Sequence, residues 1–258
     1  MPSNEMRSER FLFKIPKSNP GENWAEKVAA EVGLQLGLAT MDVRFAVKGD
    51  VKGVLLKNFL MPNTEKIDGG ELLARSNEKF NPLSLTDYTI ERIMDGLDPY
   101  QLESNFISLC VFDFLIANQD RHCENWALIL DKTGYSFSPF YDNGASLGFS
   151  LDNETLNSYL TDEARFIAFT NRSKTIIEVG GKRKPKFKKL LQYIDRHFPN
   201  VLNSEIDRLE TLDYNKLKQV LAEIPEEWMN SLQKEWVLKL ILFRKQWLLK
   251  KLWREETT

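Results

Sequence analysis

The apolar positions in the first part of the chain predict elements in the order β-α-β-β. Residues 11–15 form a short apolar run that ends at Pro16, which is typical of a strand. Residues 23–38 then carry apolar side chains three or four positions apart, the repeat of a helix with one buried face. Two further apolar runs, 43–47 and 54–60, lie on either side of a glycine-containing turn and predict two more strands.

The rest of the pattern predicts a mostly helical region. Residues 62–86 are polar and contain several prolines and glycines, which favours a linker with only short elements. An apolar helix over residues 99–117 comes next, and a hairpin of residues 126–130 and 135–138 follows it. Helical patterns then recur, and we expect helices over 186–197, 214–223 and 226–253.

Composition and charge exclude several classes of protein. At 258 residues and 42% hydrophobic, the chain is long enough for one large domain or two small lobes that share a cleft. Its 35 basic and 37 acidic side chains give a net charge of -2, so nucleic acid is not the expected main ligand. Cys110 and Cys123 are too few for a disulfide framework or a zinc cage, and no apolar run is long enough to span a membrane. We therefore expect a cytoplasmic protein.

A group of polar side chains follows the predicted apolar helix. Asp120 lies where that helix ends, Asn125 comes five positions later, and Asp142 follows the predicted hairpin, which would return its carboxylate to Asn125. Phosphoryl transfer needs a carboxylate that orients the attacking hydroxyl and oxygen ligands that hold magnesium on the phosphates. The pattern favours such a site, although Asp and Asn are also common as turn and cap residues.

These residues lie in segments that resemble a known family. The segments DRHCEN, residues 120–125, and YDNG, residues 141–144, resemble the catalytic loop and metal-binding segment of HipA-like bacterial kinases. Residues 11–38, FLFKIPKSNPGENWAEKVAAEVGLQLGL, are similar to the family's strand with an ATP-contacting lysine and the following helix with a glutamate. GVLLKNFL, residues 53–60, resembles the strand that leads to the hinge where adenine binds.

The resemblance implies a fold, an activity and a role for each site residue. The fold would be a two-lobed, protein-kinase-like α/β (α+β) domain, with a reduced β-rich N-lobe over residues 1–61 and a mostly helical C-lobe over 62–258. The activity would be ATP- and Mg²⁺-dependent phosphorylation of a serine or threonine in a protein substrate. The implied roles are hydroxyl orientation by Asp120, Mg²⁺ binding by Asn125 and Asp142, phosphate binding by Lys14, and pairing with that lysine by Glu26.

The sequence departs from the family in front of the lysine strand. Family members carry a glycine- or serine-rich loop over the phosphates, whereas residues 1–10, MPSNEMRSER, contain no glycine. We expect the phosphates to be covered either by this segment, through Ser3 and Ser8, or by a separate protein, a lid-supplying or antitoxin-like partner. Two alternatives stay open: a catalytically weak pseudokinase that binds a partner, and a phosphatidylinositol-kinase-like enzyme, whose catalytic loop is similar.

Residues around the motif have structural interpretations. We expect Arg121 to brace the loop, Asp113 to accept hydrogen bonds from the loop backbone, and His122 to bond backbone carbonyls or a neighbouring acid. Cys123 is interpreted as small buried filler. The basic run 182–189 is interpreted as a solvated loop that enters a helix, with RNA, an anionic lipid or an acidic partner as its alternative ligands.

Overall fold

Three antiparallel strands and one helix form the N-terminal part of the structure. Strand β1 (Phe11–Lys14) pairs with one edge of β3 (Val51–Lys57), and β2 (Val43–Lys48) pairs with the other edge, so the order is β1-β3-β2. Helix α1 (Gly21–Gln35) connects β1 to β2 and packs against β2 and β3. The predicted β-α-β-β order is confirmed.

The computed structural model describes residues 9–76 and 79–254. The segment expected to cover the phosphates, with Ser3 and Ser8, lies outside these residues. Within the described ranges no helix is both long enough and apolar enough to cross a membrane.

A second three-stranded sheet begins inside the polar segment that the pattern indicated as a linker. Strand β4 (Glu65–Asp68) leads directly into helix α2 (Gly69–Ser76). The predicted hairpin is confirmed as β5 (Ala127–Asp131) and β6 (Gly134–Phe137), and β4 pairs antiparallel with β5 to give the order β4-β5-β6. The partner of β4 is distant in the chain, so a local pattern of residues 62–86 cannot show this pairing.

The remaining elements are helical, and several have boundaries that the pattern did not predict. The long apolar helix is α4 (Glu103–Leu115), which starts later than expected because a 3-10 turn, Asp98–Tyr100, and a left-handed Gln101 precede it. The helices α3 and α5 to α10 are Ile90–Leu97, Asn153–Thr161, Glu163–Asn171, Phe187–His197, Pro199–Arg208, Tyr214–Glu223 and Ser231–Leu249.

The start of α10 differs from its prediction for a local reason. The helix begins at Ser231 because Asn230 and Gln233 form a reciprocal capping box, each side chain accepting from the other's backbone N–H. Trp228 therefore lies before the helix, although the pattern predicted a helix over 226–253 that would include it. Its ring stacks on Phe45 of β2 with a centroid distance of 4.5 Å, which joins the N-terminal sheet to the helical region.

One large apolar core connects α1 with the helical region. Trp24 and Val28 of α1 belong to the same buried cluster as Phe112 of α4 and Trp236 of α10. Full burial of one such side chain stabilises a fold by about 1.5–3 kcal/mol. Helix α1 is thus fixed to the helical region as well as to the N-terminal sheet, and any side chain on its buried face has a defined position.

Candidate active site

Lys14 ends strand β1 and connects two carboxylates. Its Nζ atom lies 2.9 Å from Glu26 Oε2 of α1 and also forms an ion pair with Asp142, which follows the second sheet. Gly53 of β3 lies close to this strand, because a Cβ atom at that position would be 2.4 Å from the carbonyl oxygen of Lys14. The glycine therefore permits the strand spacing that positions the lysine.

Glu26 is fully buried and bonds to two separate segments. While Oε2 accepts from Lys14, Oε1 accepts a 2.8 Å hydrogen bond from the backbone N–H of Asn143. Asp142, next to Asn143, has a left-handed backbone with φ of 56°, which its short polar side chain tolerates. Helix α1 thereby holds both the lysine and the turn that presents Asp142.

Pairing with groups of opposite charge keeps Lys14 and Asp142 charged. Burial alone would lower the pKa of Lys14, but the Glu26 and Asp142 carboxylates raise it above its usual value. Burial alone would likewise raise the pKa of Asp142, yet Lys14 holds it below the usual range of an aspartate. Lysine and aspartate are both ionised at neutral pH.

Arg121 joins the two segments that carry the predicted metal ligands. Its buried guanidinium forms a bidentate pair with Asp113 of α4, at 2.9 and 2.7 Å. The Nη1 atom donates to the carbonyl oxygens of Asn125 and Tyr141, and Nη2 donates to Asn143 Oδ1. The expectation that Arg121 braces the loop is confirmed, because one side chain ties residues 118–125 to residues 141–143.

The Asp113 carboxylate bonds to side chains rather than to the loop backbone, which corrects the expectation for it. Besides Arg121, it accepts from Asn118 Nδ2 at 3.0 Å. The Asn118 amide oxygen in turn accepts from the backbone N–H of Asp120 at 3.1 Å. Asn118 is therefore the residue that connects the buried acid to the loop backbone, a role that the sequence pattern did not indicate.

His122 and Cys123 are structural neighbours in the loop. Among the described residues, the polar partner of the His122 ring is the Cys123 Sγ atom, 3.8 Å from Nδ1, rather than the carbonyl or acid expected. Burial raises the pKa of Cys123 to about 11, so the thiol is protonated at neutral pH. This agrees with its interpretation as buried filler.

Asp120 and Asn125 are linked through the loop backbone. The Asn125 Nδ2 atom donates to the Asp120 carbonyl oxygen at 3.1 Å, so its Oδ1 atom is the one that can serve as a metal ligand. The Asp120 side chain is exposed to solvent. A carboxylate in this position is accessible to a hydroxyl group from another molecule.

A cleft of about 560 Å³ lies between the N-terminal sheet and the segments before and after the hairpin β5–β6. Lys14, Asn125 and Asp142 line one part of it. Apolar side chains from β1 and from before β2 also line it: Phe11, Leu12 and Met41. The end of β3 and the residues after it, which the sequence compared with an adenine-binding hinge, contribute Leu56, Lys57, Asn58, Phe59 and Leu60. Arg10, Lys66, Glu124 and Tyr141 complete the lining, so the cleft combines charged groups with apolar surface.

The donor atoms of the site suit magnesium that arrives with phosphate. In the described part of the chain, no group of three or more His, Cys, Asp or Glu side chains could hold a metal ion. Asn125 and Asp142 nevertheless offer an amide and a carboxylate oxygen in one cleft. Mg²⁺ commonly takes one or two protein oxygens together with substrate phosphates and water, and this set fits that arrangement.

A small antiparallel sheet packs against a helical region, and a lysine, a buried glutamate and two Asx side chains lie where the two parts meet. This architecture is a kinase-like fold. The model of one family, described as the HipA-like C-terminal domain, matches residues 3–202. The chain belongs to this family, which confirms the resemblance found in the sequence.

Two solved structures share the fold. The Helicobacter pylori proinflammatory kinase CtkA superposes with a TM-score of 0.77 at 22% identity, covering 93% of this chain and 88% of that one. HipA from the Shewanella oneidensis MR-1 toxin-antitoxin complex with HipB and operator DNA gives 0.64 at 12% identity, covering 97% of this chain and 61% of that one. The comparison with curated proteins finds no match. The predicted two-lobed α/β fold class is confirmed.

Proposed function

We propose that the protein is an ATP- and magnesium-dependent kinase that phosphorylates a serine or threonine of a protein substrate. Membership of the HipA-like family and the kinase-like fold support a kinase-type function. The observation that carries the proposal is the position of Lys14, which Glu26 and Asp142 hold in a cleft that also has apolar lining.

The mixed lining of the cleft suits ATP, which has an apolar adenine ring and charged phosphates. The apolar wall formed by Leu56, Phe59 and their neighbours would take the adenine ring. Lys14 would then face the α- and β-phosphates, and its ammonium would exchange the Asp142 carboxylate for phosphate oxygens. Glu26 keeps its contact during this exchange because its other oxygen is fixed to the Asn143 backbone.

Asn125 and Asp142 would hold magnesium, which supplies charge neutralisation on the phosphates when bound. Asp120 would accept the proton of the substrate hydroxyl. The hydroxyl oxygen forms a bond to the γ-phosphorus as the bond from that phosphorus to the bridging oxygen breaks, and ADP leaves. Arg121 holds the loop of Asp120 next to the segment of Asp142, because its Nη1 atom donates to the carbonyl oxygens of both Asn125 and Tyr141.

A second candidate is a pseudokinase that uses the same fold to bind a partner. The direct pair between Lys14 and Asp142 favours it, since each occupies the other's proposed ligand position. HipA was solved in a complex with HipB, and an antitoxin-like protein is accordingly a proposed partner for this chain as well.

The test measures nucleotide binding and phosphoryl transfer on the full chain. We expect magnesium-dependent ATP binding by calorimetry, and phosphoserine or phosphothreonine by mass spectrometry after incubation with ATP and a bacterial protein extract. Binding without transfer to any protein would support the pseudokinase. Transfer to phosphatidylinositol vesicles but not to protein would support the lipid-kinase alternative, and absence of ATP binding would overturn the proposal.

A further inference from the structure

Arg244 of α10 is a buried cation without an acidic partner in the described part of the chain. Its side chain is 1% exposed. The Nη1 atom donates to the Phe114 carbonyl oxygen at 2.5 Å, and the guanidinium lies 4.8 Å from the centre of the Phe114 ring. The Nε atom has no hydrogen-bond partner among the described residues. An arginine in such a position normally pairs with a carboxylate or a phosphate.

Two cavities meet at this arginine. One has a volume of about 470 Å³ and the other about 340 Å³, and both are lined by Arg244 and Ser173. Ser173 is also buried, and its hydroxyl likewise has no partner in the described residues. Arg244 Nε and Ser173 Oγ, both without a partner among the described residues, thus belong to residues that line both cavities.

The electrostatic character of the cavities favours an anion. The first cavity is lined by Lys186 and Lys188 from the basic run, and the second by Arg172. Among the residues that the structure describes, neither lining contains an aspartate or a glutamate. Burial lowers the pKa of Arg244 to about 9, so the guanidinium is still charged at neutral pH. An oxyanion would supply the acceptor that Arg244 Nε and Ser173 Oγ lack among the described residues.

The smaller cavity is lined in part by the loop that carries Asp120. Its lining includes Ala117 and Gln119, and Gln119 precedes Asp120 in the chain. It also includes aromatic rings of Phe149, Tyr159 and Phe169. A ligand in this cavity therefore meets apolar surface, a buried cation and the residue that precedes Asp120 in the chain. This combination suits a polypeptide segment with an acidic and an apolar side chain.

We propose that Arg244 and Ser173 bind the carboxylate of an aspartate or glutamate in the polypeptide that the enzyme phosphorylates. The identity of that polypeptide as a substrate rests on the proposed function, whereas its binding does not require catalysis. In this arrangement Lys186 and Lys188 of the basic run 182–189 lie at the ligand site. An acidic partner is one of the alternative ligands named for that run in the sequence.

A binding assay on the full chain separates this proposal from the proposed function. The probes are an acetylated, amidated peptide of alternating glutamate and phenylalanine, its glutamine counterpart, and inorganic phosphate, each titrated by calorimetry without ATP. We expect the glutamate peptide to bind about tenfold tighter than the glutamine peptide, since hydrogen bonds between charged groups are the stronger ones. A kinase-inactive protein would still show this preference.

Variants assign the preference to the site. Arg244→Met should abolish it and Arg172→Gln should weaken it, while Lys182→Gln, on the same basic surface but outside both linings, should leave it unchanged. Thermal unfolding checks that Arg244→Met is folded; if it is not, Arg172→Gln and Ser173→Ala carry the test.

Several outcomes would overturn the proposal. Equal binding of the two peptides, or an unchanged preference in the folded Arg244→Met variant, would exclude a carboxylate at this site. Binding of phosphate but not of the glutamate peptide would assign the site to a phosphoryl group. Glu255 and Glu256 lie outside the described residues, so the assay is repeated with both changed to glutamine. Binding that occurs only in that variant would show that the chain's own acids fill the site.

Discussion

Lys14 Nζ and the Asp142 carboxylate form an ion pair across 128 positions of the chain. Strand β1 carries the lysine and the turn after β6 carries the aspartate, so the pair connects the N-terminal sheet to the segment that follows the second sheet. Glu26 is the common support, since it binds the lysine side chain and the backbone next to the aspartate. One residue, Glu26, therefore holds both the proposed phosphate-binding lysine and the backbone next to the proposed metal ligand Asp142.

Replacing Asp120 tests the proposed chemistry. Asp120→Asn should keep ATP affinity, because the side chain is exposed and does not line the cleft, while the transfer rate falls by about a hundredfold or more. Calorimetry and a transfer assay measure the two quantities. Asp207→Asn removes another exposed carboxylate, from α8, and should change neither. An unchanged rate in Asp120→Asn would remove this residue from the mechanism.

Asp142→Asn should give a different result, since the proposed role of Asp142 is to bind magnesium. We expect weaker magnesium-ATP binding and a transfer rate that is partly restored by higher magnesium concentrations. Magnesium titrations of the transfer rate in the Asp120→Asn and Asp142→Asn variants provide the comparison. The same magnesium dependence in both would mean that Asp142 is not a metal ligand.

Lys14→Met should lower ATP affinity or turnover without unfolding the protein. It should also destabilise the fold, because buried Glu26 would lose its cationic partner. Adding Glu26→Gln should recover part of that loss, with a coupling free energy of about 0.5–3 kcal/mol in a double-mutant cycle. Denaturant unfolding of the four proteins measures it. Strictly additive effects, together with full activity of Lys14→Met, would make the lysine an ordinary surface residue.

Removing the buried acid under the loop should affect stability and activity together. Asp113→Asn leaves the guanidinium of Arg121 without a counter-charge, and breaking such a buried pair costs about 3–5 kcal/mol. Denaturant unfolding checks the loss. Activity should fall even at temperatures where the variant is folded, because Arg121 positions the backbone of Asn125 and Tyr141. Wild-type stability would show that the pair is not needed to hold the loop.

Acid should lower the stability of the folded protein, in part because Asp142 becomes protonated. The pKa of this group is lowered in the folded protein, so its contribution to stability is present above its unfolded pKa of about 3.8 and is lost as pH falls through the folded value. Thermal unfolding between pH 6 and pH 3 should therefore show a smaller acid-dependent loss for Asp142→Asn than for the wild type. Asp207→Asn is the matched control, and a similar loss in all three proteins would contradict the pairing.

Local patterns were sufficient for several of the elements. An apolar run that ends at Pro16 predicted β1, apolar side chains three or four positions apart predicted α1, and two apolar runs around a turn predicted the hairpin, because each pattern is visible within a few residues. The spacing of Asp120, Asn125 and Asp142 was readable because a helix end, a loop and a hairpin separate them along the chain.

Only the tertiary structure decided which distant groups meet. The pairing of β4 with β5, the shared bonds of Arg121 and the contact of Trp228 with Phe45 join segments far apart in the chain, and no local period encodes such contacts. Burial is equally non-local. In the sequence, Arg244 is one of several cationic residues on a predicted helix. Packing of α10 against α4 removes its side chain from solvent, and the described residues supply no carboxylate to pair with it.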